Sequence, residues 1–197
     1  MRKFLKLLLV TLGMLDFTAI HAQVIYKISP ASNIHISGTS TLSDWVVKSP
    51  NVSGQMTYLS SGKKSNGNEL PPGTVQEAKA ILEVASIKSE KGETMDHKMY
   101  RALKYEEHPQ IIFLLNQPFR ISRAPSEISA SGNIDIGGVT HPITFDLSLT
   151  YADNAFHFQG SKSLKLSDFQ IEPPSAMFGQ IVTGDEIVVT LDLFFTK

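Results

Sequence analysis

Ile143-Thr144-Phe145-Asp146-Leu147-Ser148-Leu149-Thr150 sets apolar and polar residues in strict alternation. A period of two puts the first set on one face of a pleated strand and the second on the other, one buried and one wet. The pattern returns at the end of the chain, where Ile187, Val189, Leu191, Leu193 and Phe195 are interleaved with Val188, Thr190, Asp192 and Phe194. From Ile128 to Ile136 the inward set is Ile128, Ala130, Gly132, Ile134 and Ile136, and its small members are expected to leave room inside.

Working outward, further strands are predicted over Val24–Ser29, Asn33–Ser37, Trp45–Lys48, Val52–Leu59, Val75–Ser86, Ile111–Ile121 and Ala155–Leu166, the last with a bend expected at Gly160. Turn residues separate them: Ser29-Pro30, Ser49-Pro50-Asn51, the stretch from Gly62 to Gly73 with Pro71-Pro72, Gly137-Gly138 and Asp153-Asn154. Many strands joined by short turns, with no alternating helices, specify an all-β domain, either a sandwich or a barrel. One segment departs from this. Between Glu93 and Lys104 the apolar Met95, Met99, Ala102 and Leu103 recur at helical spacing, so one short amphipathic helix is expected there, ending before His108-Pro109. A second helical turn is expected around Ser175–Gly179, after Pro173-Pro174.

The chain opens with Arg2, Lys3 and Lys6 and an apolar run from Phe4 to Leu15. That is the build of a cleaved signal peptide, residues 1–22, leaving residues 23–197 as one domain. Asp16 interrupts the run well before the ~20 residues a bilayer span requires. Removing residues 1–22 leaves 15 basic against 18 acidic residues, a formal charge of −3, which argues against nucleic acid as a partner. No other apolar stretch is long enough to span a membrane. The chain has no cysteine, which excludes disulfides, thiol catalysis, thiolate metal sites and a lipid-modified N-terminal Cys.

Catalytic and metal motifs are missing. His35, His97, His108, His141 and His157 are scattered and lack the spacing of a metal-binding helix, so each is read as structural or superficial. Asp96-His97 is the most enzyme-like pair, but helix neighbours point about 100° apart, and Asp96 is better placed to favour the helix N-terminal half. Thr39-Ser40-Thr41 with Ser43-Asp44 is a polar turn, and Gly137-Gly138 a tight hairpin. Trp45, beside a turn, is read as a packing anchor. No cofactor is expected. The apolar face either packs on itself or closes around a cavity, which alternation alone does not distinguish.

The order of motifs resembles the YceI-like family of exported, polyisoprenoid-binding, lipocalin-like proteins across nearly the whole predicted mature chain. The resemblance rests on Ile36-Ser37-Gly38-Thr39-Ser40-Thr41 leading into Leu42-Ser43-Asp44-Trp45, on Ala85-Ser86-Ile87-Lys88-Ser89, on Asp96-His97, and on His108-Pro109-Gln110-Ile111-Ile112-Phe113. The most specific segment runs from Gly132 to Pro142, and Asp168-Phe169 and Gly184-Asp185-Glu186-Ile187 fit as well. Where many members carry Arg-Asp in the helix, this chain has Met95-Asp96, without the arginine that would contact a polar head group.

The resemblance implies an extended antiparallel lipocalin-like β-barrel of about eight strands with one or two short helices, and an elongated pocket for an isoprenoid chain. The lining residues expected from this are Phe113, Leu115, Ile134, Ile136, Phe145, Leu147 and Phe158, with Met99 and Leu103 from the helix and Met177 and Phe178 as a lid. The function so implied is a periplasmic carrier of an isoprenoid-type lipid or quinone, with no catalytic residues and a second copy of the chain as a possible partner. The alternatives are an envelope interaction protein with a filled barrel, and an enzyme acting on a prenyl lipid through Asp96 or a histidine.

Overall fold

The computed structural model describes residues 22–61, 70 and 72–197. The predicted signal peptide therefore lies outside the described residues, except for Ala22, and so does most of the predicted loop after Ser61. Among the described residues thirteen strands follow in chain order: β1 (Ala22–Ile28), β2 (Asn33–Ser40), β3 (Trp45–Ser49), β4 (Val52–Ser60), β5 (Gly73–Glu83), β6 (Lys88–Ser89), β7 (Gln110–Leu115), β8 (Phe119–Ile121), β9 (Ser126–Ile136), β10 (Val139–Ala152), β11 (Ala155–Lys165), β12 (Ser175–Ala176) and β13 (Ile181–Thr196). Helix α1 (Glu93–Ala102) separates β6 from β7.

Eight strands close a ring in the order β1, β4, β5, β7, β9, β10, β11, β13 and back to β1, each pair antiparallel. The closing contact sets Lys27 opposite Thr196 and Ile28 opposite Phe195. Further along β13 its partner changes to β2, which carries β3 and then β6. β1 and β2 are thus one path bent at residues 29–32. The bend leaves Phe194 facing a gap in the ladder, and buried Ser32 fills it: its hydroxyl accepts from Phe194 N at 2.9 Å and donates to Phe194 O at 3.3 Å.

Alternation holds around the ring. Ile143, Phe145, Leu147 and Leu149 point inward and are buried, as are Leu191, Leu193 and Phe195, while Asp146 and Thr190 face solvent. One end of the barrel is sealed by aromatic rings. Tyr26, Tyr58, Tyr151 and Phe156 meet edge to face, with Phe156 centred 4.8 Å from Tyr26, 5.1 Å from Tyr58 and 5.0 Å from Tyr151. Burial, helped by the neighbouring Tyr151, pushes the Tyr58 phenol up to about 12 and raises that of Tyr26 as well.

Three local expectations change. The strand expected over Ile111–Ile121 is broken at residues 116–118, where Pro118 has no N–H to give a ladder, so β7 and β8 pair separately with β5. The strand expected to reach Ser86 stops at Glu83, and Val84–Ser86 form a 3-10 turn. The second helical turn does not form: Met177, Phe178 and Gly179 have φ of 50°, 56° and 85°, a left-handed path that no right-handed helix follows, and the segment turns β12 back onto β13. The Gly137-Gly138 hairpin is as expected, with φ of 58° and 80°. β11 runs as one strand through Gly160.

Candidate binding site

The inward face of the ring encloses an apolar cavity of about 270 Å³. Phe113 and Leu115 of β7, Ile134 and Ile136 of β9, Phe145 and Leu147 of β10, and Phe158 of β11 all line it, together with Met99 and Leu103 on or just after α1. Strand period places the first seven: residues two apart on one strand share its inward face, and the inward faces of four neighbouring strands converge on the cavity. The helix supplies its two because residues four apart share a face. Met177 and Phe178 lie elsewhere, exposed at the tip of the β12–β13 hairpin and outside the lining.

Two glycines set the cavity's shape. A Cβ on Gly132 would sit 2.5 Å from the Phe113 ring, so the room that this glycine leaves on β9 is occupied by that ring, which also meets Phe145 at 5.8 Å between centroids. A Cβ on Gly38 would sit 2.4 Å from the Trp45 ring. The indole lies across that glycine, donates from Nε1 to Thr39 O at 2.9 Å, and turns its apolar body to the cavity. Trp45 is therefore both an anchor and part of the lining. Met95 on the helix face and Ile36 and Val189 on β2 and β13 also line the cavity, beyond the residues expected from the sequence; their helical and period-two spacing is the signal that marks them.

The cavity reaches solvent away from the aromatic seal. Its half-buried or exposed lining residues there are Ser40 and Trp45 of the β2–β3 hairpin, Lys91 and Met95 beside or on the start of α1, and Pro174, Ile181 and Thr183 around β12–β13. Ser40, Lys91 and Thr183 thus place polar groups among the apolar side chains of the opening, and the interior beyond is predominantly apolar.

Asp96 holds the helix in this wall. Its carboxylate is buried, accepts from Ser89 N at 2.8 Å and lies 3.5 Å from Lys88 Nζ. Lys88 in turn donates to the Tyr100 hydroxyl at 2.7 Å, and Tyr100 reaches Ala85 O and Ile87 O, each at 2.9 Å. That hydrogen bond to Tyr100, with Asp96 nearby, raises the Lys88 ammonium above its ordinary value. Asp96 is a tie between α1 and β6 rather than only a charge near the helix start. The histidines are dispersed: His157 meets Asp192 at 2.5 Å and stacks on Phe194, His141 lies against Phe169, and His97 against Tyr100. Among the described residues no three His, Asp or Glu side chains converge as metal ligands would.

A closed antiparallel barrel, sealed at one end, open at the other and apolar within, is the architecture of proteins that hold small apolar molecules. Residues 26–195 match the YceI-like domain, and the chain belongs to that family. Among solved structures it is similar to a polyisoprenoid binding domain from Saccharophagus degradans implicated in plant cell wall breakdown, with a TM-score of 0.64 and 13% identity over 89% of this chain and 99% of that one. It is also similar to BcnA of Burkholderia cenocepacia (TM-score 0.60, 16% identity, 85% and 98% covered) and to the Campylobacter jejuni YCEI protein (TM-score 0.51, 17% identity, 68% and 88% covered). At these identities the likeness is one of fold. No curated protein matches the sequence.

Proposed function

We propose that this protein is an exported, periplasmic carrier of an isoprenoid-type lipid, a polyprenyl chain or isoprenoid quinone, held in the barrel without a chemical step. The apolar cavity of about 270 Å³, closed by aromatic rings at one end and with a few polar groups among apolar side chains at the other, carries this reading. A branched hydrocarbon chain gains about 25 cal/mol for each Å² it withdraws from water, and an apolar cavity lined by Phe, Leu, Ile and Met supplies that burial. A head group would remain at the rim, beside Ser40, Lys91 and Thr183. The fold of the Saccharophagus domain, which is described as polyisoprenoid binding, supports the same ligand class. The polar outward residues of β10 and β13 suit a barrel standing in water rather than in lipid. The N-terminal basic and apolar segment supports export.

Native mass spectrometry of the mature protein purified from an exporting host, followed by organic extraction, tests the proposal. A stoichiometric prenyl lipid is the expected result. Repeated recovery of empty protein that also takes up no added prenyl lipid would refute it.

A further inference from the structure

The hairpins that flank the cavity opening end in bulky apolar side chains with nothing packed over them. Leu42 at the tip of β2–β3 is 69% exposed, and Met177 and Phe178 at the tip of β12–β13 are 64% and 110% exposed, with Val182 also exposed beside them. The tips form one unit. Thr41 N donates to Val182 O at 3.0 Å, Thr41 Oγ1 donates to Gln180 O at 3.0 Å, and Val182 N donates to Thr41 Oγ1 at 3.1 Å. Lys91 Nζ reaches Ser43 Oγ at 3.3 Å, setting a cation behind the Leu42 tip.

Turn chemistry makes this placement costly. Met177 and Phe178 both have positive φ, a conformation that Gly and Asn adopt readily and large side chains resist. Phe178 gains no burial in the folded protein to offset it, and Met177 gains little. From the geometry we infer that these tips are a docking device for a lipid bilayer, and that Phe178, Met177 and Leu42 enter the outer acyl region while the barrel stays in water.

Two observations select a bilayer over a protein partner. The exposed apolar surface consists of four side chains at two hairpin tips, Leu42, Met177, Phe178 and Val182, against the roughly 20–30 residues a side of a stable protein interface; a fluid lipid phase needs no complementary shape. The tips also continue the cavity wall, since Ile181, Thr183 and Ser40 of the same hairpins line the opening. A hydrocarbon chain leaving the bilayer between them would pass from acyl chains to Ile, Trp and Met side chains without crossing water. This inference rests on the lipid-carrier reading, and it adds where the carrier loads.

The test uses the double variant Met177→Asn, Phe178→Asn. Asn suits the left-handed turn, so the thermal midpoint should be unchanged or higher. Two readouts are compared with wild type: co-flotation with phosphatidylcholine vesicles, and uptake of geranylgeraniol from water followed through the fluorescence of Trp45, the chain's one tryptophan. The expected result is a loss of vesicle binding of about tenfold or more with uptake retained. A wild type that does not float with vesicles, or a double variant that floats equally well, would overturn the docking tip while uptake leaves the carrier reading standing. A wild type that floats through these tips yet takes up no geranylgeraniol would support the tip and overturn the carrier reading.

Discussion

Replacing Ala130 by phenylalanine separates an occupied barrel from a filled one. Ala130 is buried on β9, directly opposite Phe145 on β10, and its methyl group faces the cavity. In a filled core an added ring forces neighbours off their rotamers, at a cost of about 1–3 kcal/mol. Here it has free space beside Phe145, so the ligand-free protein should be unchanged or stabilised by up to the ~1.5–3 kcal/mol that burying such a ring contributes. The ring would occupy about the length of one isoprene repeat. Excluding roughly five carbons of ligand, at ~0.8 kcal/mol each, removes ~4 kcal/mol of binding, about a thousandfold in Kd. Urea unfolding of delipidated protein measures the first quantity, and geranylgeraniol titration followed by Trp45 fluorescence the second. Destabilisation of the ligand-free protein by more than ~1 kcal/mol, or an affinity equal to wild type, would refute the reasoning.

Other expectations follow from the seal, the helix tie and the cavity wall. Because burial raises the phenols of Tyr26 and Tyr58 above the ordinary value of 10, their contribution to stability should be complete below pH 10 and lost as pH rises toward 12; urea midpoints across that window measure it, and a flat profile would contradict it. Asp96→Ala leaves Ser89 N without its acceptor and should lower stability by about 1–3 kcal/mol, with faster amide exchange over Glu93–Ala102. Gly132→Ala drives a Cβ within 2.4 Å of Leu114 O and against the Phe113 ring, so a loss of about 1–3 kcal/mol is expected in thermal or urea unfolding. In that variant, Phe113→Leu should recover part of the loss.

The strands and their inward faces were legible because period two is a local property: Phe145 and Leu147 are inward whatever the sheet does next. The helix face was legible for the same reason, through Met95, Met99 and Leu103. Asp96 was harder. Its burial depends on β6 bringing Ser89 N to the carboxylate, and a two-residue strand leaves no periodic signal. The family resemblance implied a lid at Met177 and Phe178, and no local periodicity bears on where their side chains point. Their positive φ instead carries them away from the cavity to the hairpin tip.

By itself, the sequence determined an all-β chain, the apolar face of each long strand, one amphipathic helix and the family motifs. Closure was a tertiary decision. A sandwich and a barrel need the same alternation, and only the pairing of Lys27 with Thr196 and of Ile28 with Phe195, from opposite ends of the chain, turns the sheet into a ring. The cavity was likewise decided in three dimensions. Whether inward side chains meet or leave space depends on the ring's width and on which small residues face large ones, as Gly132 faces Phe113, and neither is a property of any single strand.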